Sequence, residues 1–199
     1  LRSLAHLTLG HVEKYGLEAC RQQAEQALAL AKRLPAPPVD VVLDIYSDLS
    51  TAANFQNDRR RQLAVSREGL AFADAHQVSA DSPARLTLLR GLVNGLLMEG
   101  KAGEAENVVR QALASAGKTG GFGGSSQSVL LQTLGETLLR QGRYREALEP
   151  MESSARESER AGEGPRNRAM TSNNRAALQV LVGDYAAAMA LSQRAIDIL

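Results

Sequence analysis

Along most of the chain apolar residues return every three or four positions, the spacing that lines one face of a helix. Leu86, Leu89, Val93, Leu96 and Leu97 form one such stripe, and Leu131, Leu134, Leu138 and Leu139 form another. A further stripe runs Ala105, Val108, Val109, Ala112, Leu113 and Ala116, where small residues let a second helix come close. Stop and start signals fall between the stripes. Gly142 and Gly183 stand where a left-handed residue closes a helix. Ser82-Pro83 and Gly164-Pro165 place proline at a first helical position. The stretches "PAPPVD" (35–40), 77–82, "GKTGGFGGSS" (117–126) and "AGEG" (161–164) read as linkers. The pattern predicts an all-α chain of helix pairs at about 1–34, 39–77, 82–117, 125–162 and 165–199. Each pair leaves an apolar face that the next pair covers.

The pairs repeat. "MEGKAGEAENVVRQALA" (98–114), "RQGRYREALEPMESSAR" (140–156) and "LVGDYAAAMALSQRAID" (181–197) align. In each a glycine (Gly100, Gly142, Gly183) precedes an alanine by five positions (Ala105, Ala147, Ala188). A small residue follows seven later: Ala112, Ser154, Ala195. Ala64 with Ala71, and Ala24 with Ala31, extend the series toward the N-terminus without the glycine. The anchors 24, 64, 105, 147 and 188 are then 40, 41, 42 and 41 apart.

Composition agrees with helices and removes several classes of function. Alanine and leucine dominate, with many Arg, Glu and Gln, all strong helix formers. Aromatics are 4% and tryptophan is absent, so the core must be aliphatic. Lys and Arg total 23 against 22 Asp and Glu, which gives no concentrated basic surface for nucleic acid. No apolar run approaches the roughly 18 to 20 residues of a membrane span, and no signal peptide is visible. The single cysteine, Cys20, cannot form an internal disulfide and fits a reducing, cytoplasmic setting. The chain starts at Leu1 and stops at Ile198-Leu199 within an apolar helical pattern, so a piece of a longer protein is expected.

The motif resembles the tetratricopeptide repeat family. "GRYREA" (142–147) and "GDYAAA" (183–188) match its Gly-x-Tyr-x-x-Ala step, and "GKAGEA" (100–105) departs only at Ala102. Gly135 and Ala176 hold the small position of the first helix, with Val93 in its place in the third unit. The period of 40 to 42 is similar to the long-helix variety of kinesin light chain and several bacterial signalling regulators. "TSNNRAALQVLVGDYAAAM" (171–189) is also similar to that group. The resemblance implies a single domain, a right-handed superhelical solenoid of about five repeats, whose first helices line a concave groove. With each anchor alanine as the twentieth position, the family's groove positions fall on Tyr46, Ser50, Asn57, Arg90, Asn94, Gln132, Glu136, Arg140, Asn173 and Asn174. A side-chain amide both donates and accepts, which suits the backbone of an extended peptide. Arg90 or Arg140 could pair with a carboxylate. The implied function is a non-catalytic protein- or peptide-binding or sensory module of a larger bacterial signalling protein. Its partner is another protein or another part of the same chain. Self-association through exposed terminal repeats is the alternative.

Other chemistry is thin. Ala112 to Thr119 fits a relaxed phosphate-binding loop, which would make the chain a nucleotide-dependent enzyme using Lys118. Such a loop needs a strand before it and a helix starting at the lysine. Here an amphipathic helix precedes it, and its negative C-terminal end repels phosphate. Read as a linker instead, the segment begins with a helix-ending Gly117, and Phe122 tucks onto neighbouring helices. His6 and His11 are five apart, the wrong spacing for a helical metal pair, and His76 is remote. No metal, cofactor or catalytic residue is expected. Asp58 before Arg59-Arg60-Arg61 reads as an N-cap with a solvated basic turn, or as a patch for an acidic partner.

Overall fold

The computed structural model describes residues 16–118 and 124–198, with side chains placed for 16–115 and 126–198. Among the described residues there are nine α-helices and no strand: α1 (Leu17–Lys32), α2 (Val39–Phe55), α3 (Arg59–Ala75), α4 (Pro83–Met98), α5 (Ala102–Lys118), α6 (Gly124–Arg140), α7 (Tyr144–Arg160), α8 (Pro165–Val182) and α9 (Tyr185–Ile198). The chain is thus an all-α helical-repeat protein. The first helix of the first expected pair, His6, His11, Thr119 and Phe122 lie outside the described residues. Contacts gather into two compact units, Leu1–Glu99 and Gly100–Leu199.

In the first unit, α1 turns a stripe of Cys20, Ala24, Ala27 and Ala31 inward. Ala24 and Ala27 pack on Ile45 and Leu49 of α2. Ala31 joins Val42, Leu43, Tyr46, Ala73 and Leu88 in the main core. Removing these aliphatic surfaces from water is what holds the pairs together. α4 lies against both α2 and α3. It gets close because its facing residues have no side chains. A Cβ on Gly91 would stand 2.5 Å from Ser66 Oγ, and one on Gly95 would stand 3.0 Å from Leu63 Cβ. Beneath Gly91, Ser50 and Ser66 share a buried hydrogen bond of 2.8 Å.

In the second unit, α6 buries Leu130, Leu134 and Leu138, and α7 buries Ala147, Met151 and Ser154. Ser154 Oγ donates to the Ser128 carbonyl at 2.9 Å, which satisfies the hydroxyl in this seam. Arg175 of α8 makes a two-pronged bond to Glu152 of α7. Ala176 and Leu178 of α8 and Ala188 of α9 are buried.

The helix ends correct the repeat register. Asn57, Gln77, Gly142, Gly162 and Gly183 all have positive φ, between 53° and 87°. After each, the next N–H reaches back to the carbonyl five residues earlier, as Asp58 to Ala53 (2.9 Å), Arg143 to Leu138 (3.0 Å) and Asp184 to Gln179 (2.9 Å). This is the Schellman closure of a helix end. Asn57 therefore stands where Gly142 and Gly183 stand, and asparagine is the side chain that best tolerates the left-handed region. The helices after Gly100, Gly142 and Gly183 carry Ala105, Ala147 and Ala188 as their fourth residue, all buried. The same count gives Gln62 in α3 and Cys20 in α1, also buried. The anchors are Cys20, Gln62, Ala105, Ala147 and Ala188, spaced 42, 43, 42 and 41. Ala64, expected as an anchor, is exposed, and Ala24 lies one turn beyond the true position.

Candidate peptide-binding faces

Three of the expected groove residues are not where the motif frame put them, because that frame was two residues out in the second repeat. Tyr46 is 2% exposed and Ser50 is 1% exposed, so both are core. The Tyr46 ring packs 6.1 Å from Phe72 and lies under Lys32 Nζ at 5.1 Å. Ser50 is spent on Ser66. Asn57 is exposed, but as the left-handed turn between α2 and α3. Counting from Gln62 moves the outward face of α2 to Asp44, Ser47, Asp48, Thr51, Asn54 and Phe55, each half-buried or exposed.

The third repeat places Arg90 and Asn94 on α4. Arg90 is exposed and Asn94 half-buried. Asn94 Nδ2 donates to Asn54 Oδ1 at 3.1 Å and to Gln62 Oε1 at 3.3 Å. The amides of α2 and α4 thus lie side by side on one face. Phe55 at 76% exposure and Met98 at 40% flank them with apolar surface. Asn54 and Gln62 escaped the sequence reading. The available signal was Asn57 itself, the residue best suited to stand in for the missing glycine.

In the second unit Gln132, Glu136 and Arg140 follow one another at four-residue intervals on α6. Gln132 Nε2 donates to Glu136 Oε1 at 2.9 Å, and Arg140 is exposed. On α8 Asn173 is exposed and Asn174 half-buried, with Met170, Val180 and Leu181 at 46 to 50% exposure around them. An open cleft of about 350 Å³ runs beside Tyr144, Arg145, Leu181 and Val182. In its lining Arg143 bonds Glu106 of α5 (2.5 Å) and Glu146 (2.6 Å). Burial would raise the Glu106 carboxyl, but bonds from Arg110, Gln141 and Arg143 outweigh it and hold its pKa below the usual range.

The remaining candidates have structural roles. Residues 112–118 of the loop-like motif are helical, so they form no phosphate cradle, and α5 continues past Gly117 to Lys118. Cys20 is buried in the alanine stripe. His76 stacks on Phe72 at 4.1 Å and its Nδ1 is 2.9 Å from the Phe72 carbonyl. Asp58 caps α3 by accepting from the Arg61 N–H at 3.1 Å, and the Arg61 side chain pairs with Glu25. Among the described residues no three His, Cys, Asp or Glu groups are placed to hold a metal. No helix among them is long and apolar enough to cross a membrane.

The geometry can be set beside known proteins. Residues 125–199 match the family model of the tetratricopeptide repeat. The solved structure of BtubC (BKLC) from P. vanneervenii is similar, with a TM-score of 0.76 at 19% identity over 94% of this chain and 75% of that one. A putative kinesin light chain with nearly identical TPR-like repeats from Podosopora anserina gives 0.74 at 18% identity, over 100% of this chain and 93% of that one. A Rap protein complexed with Competence and Sporulation Factor gives 0.77 at 10% identity, over 96% of this chain and 51% of that one. No curated protein sequence matches the chain.

Proposed function

With residues 125–199 carrying tetratricopeptide repeats and the chain sharing their fold as a premise, we propose that this is a non-catalytic module that holds a peptide or protein segment. The binding surfaces are the outward faces of the first helices of its repeats, α2 with α4 and α6 with α8. The observation that carries the reading is the Asn54–Asn94 amide pair flanked by exposed Phe55, Met98 and Arg90. Polar groups of both senses sit beside apolar surface there, which is what an extended chain with side chains offers in return. The row of Asn173 and Asn174 among exposed apolar residues on α8 supports the same use. A protein of this fold, the Rap protein, has been solved with Competence and Sporulation Factor, in keeping with a ligand-holding role. The helices need no reorganisation, so the ordering cost falls on the ligand. The module serves a larger signalling or regulatory protein, in the cytoplasm. A net charge of +1 points away from nucleic acid as partner.

The test is selection of linear peptides from a random display library on the wild-type protein. Their affinities are then measured for wild type, Asn54→Ala/Asn94→Ala and Asn173→Ala/Asn174→Ala, each checked for equal helicity by circular dichroism. A loss of about tenfold or more in either variant is expected. Equal affinity in all three proteins would contradict the reading.

A second reading, self-association, has its own observation. Met189 and Ile196 of α9 are 75% and 67% exposed. Counted from the anchors, they match Leu63 and Leu70 of α3, which are buried and half-buried beside α4. Sedimentation across a concentration series would show mass rising in wild type and not in Met189→Gln/Ile196→Gln. A concentration-independent monomer would rule it out.

A further inference from the structure

Gln62 is out of character for its position. The fourth residue of the second helix is Cys20, Ala105, Ala147 or Ala188 elsewhere, always small and without a carboxamide. In α3 it is a glutamine, 5% exposed. A buried carboxamide must find partners or lose stability. Its Oε1 takes one from Asn94 Nδ2 at 3.3 Å, and Asn54 Oδ1 takes another from the same nitrogen at 3.1 Å. An asparagine amide nitrogen carries two hydrogens. Both donors of Asn94 are thereby engaged inside the protein.

We infer that Gln62 is a positioning residue that fixes the polarity of the Asn54–Asn94 pair, so that Asn94 offers a binding partner only its carbonyl oxygen and the donor for the partner's carbonyl must come from the Asn54 amide. This deepens the peptide-binding reading of the same face and rests on it. The consequence is directional. In an extended strand the N–H and C=O of one residue point to the same side, as in the paired bonds of an antiparallel ladder. One residue of the bound segment therefore gives its N–H to Asn94 and receives Asn54 at its carbonyl. Because N–H precedes C=O along a chain, the segment runs from the α4 side toward the α2 side. Without Gln62 one Asn94 hydrogen is released, the amide can turn over, and either direction becomes acceptable. The segment recognised is an extended one with an unblocked backbone N–H at this register; proline, which lacks that donor, is excluded there.

The experiment uses Gln62→Ala, which installs the residue type found at the same position in three other repeats. Its first arm needs no ligand: the Asn94 side-chain amide is followed by NMR in the full chain. Wild type is expected to give two dispersed, rigid signals, and Gln62→Ala signals averaged toward free asparagine. Unchanged signals would overturn the inference. The second arm uses a peptide selected from the random library on wild type that binds the α2–α4 face. Gln62→Ala should weaken it about three- to tenfold, and add no loss in an Asn94→Ala background. An equal loss in both backgrounds would mean a purely structural role and would overturn the inference. N-methylation of the one peptide amide facing Asn94 should abolish the difference between wild type and Gln62→Ala. If the library returns no binder for this face, the peptide-binding reading falls and the directional claim falls with it, while the NMR arm still decides whether Gln62 positions Asn94.

Discussion

Single residues mark where the local rules are strained and where they can be tested. Asn57 holds φ at 58° in a turn that other repeats close with glycine. Asn57→Ala should cost about 1 kcal/mol, because a Cβ without a polar tip is disfavoured in the left-handed region. Asn57→Gly should be neutral or slightly stabilising. Urea denaturation midpoints of the two variants check the order. Gly91 presents the opposite constraint. A methyl there would stand 2.5 Å from Ser66 Oγ and press on the Ser50–Ser66 bond. Gly91→Ala should cost about 1–3 kcal/mol, as overpacking of a core seam does. Melting near wild type would mean that α4 is free to retreat from α3. The sequence is hardest to interpret at this scale. Ala64 looks like an anchor only because alanine is common, whereas Gln62 does not look like one at all. A buried glutamine is legible only once its partners Asn94 and Asn54 are known.

At the scale of helices, what could be read was the on-off pattern of apolar stripes with their glycine and proline punctuation. The boundaries at Val39, Pro83, Gly142 and Pro165 follow from it. Helix-to-helix polar links could not be read, since they join residues distant in sequence. Glu106 is one, tying α5 to the turn before α7 through Arg143 and Gln141. Its carboxyl titrates below the ordinary carboxylate range, so the folded state favours the charged form. The stability it adds is complete above the unfolded value of about 4.3 and is lost as pH falls through the lowered folded value. Glu106→Gln should therefore lower stability at pH 7 by about 1–2 kcal/mol. It should also flatten the fall between about pH 5 and pH 3. Chemical denaturation of wild type and variant at pH 7, 5 and 3 measures both effects. Parallel curves would show that the Arg143 link adds no stability.

For the whole molecule, repetition itself is the argument for function. Anchors 42, 43, 42 and 41 residues apart, small except for Gln62, build helix pairs, and the described first helices α2, α4, α6 and α8 each turn half-buried or exposed polar residues outward. In the last three repeats the residues counted from the glycine–alanine step, Arg90, Asn94, Gln132, Glu136, Arg140, Asn173 and Asn174, are all half-buried or exposed. In the second repeat the step is written in other residues, and the face moved from Tyr46 and Ser50 to Asn54 and its neighbours. The measurement that tests the central claim most directly is an NMR titration of the isotope-labelled chain with a library-selected peptide. Binding on the first helices predicts shift changes at Asn54, Arg90 and Asn94, or at Gln132, Asn173 and Asn174. Changes confined to second-helix surfaces, such as Arg60 and Arg67 of α3 or Met189 and Arg194 of α9, would contradict it.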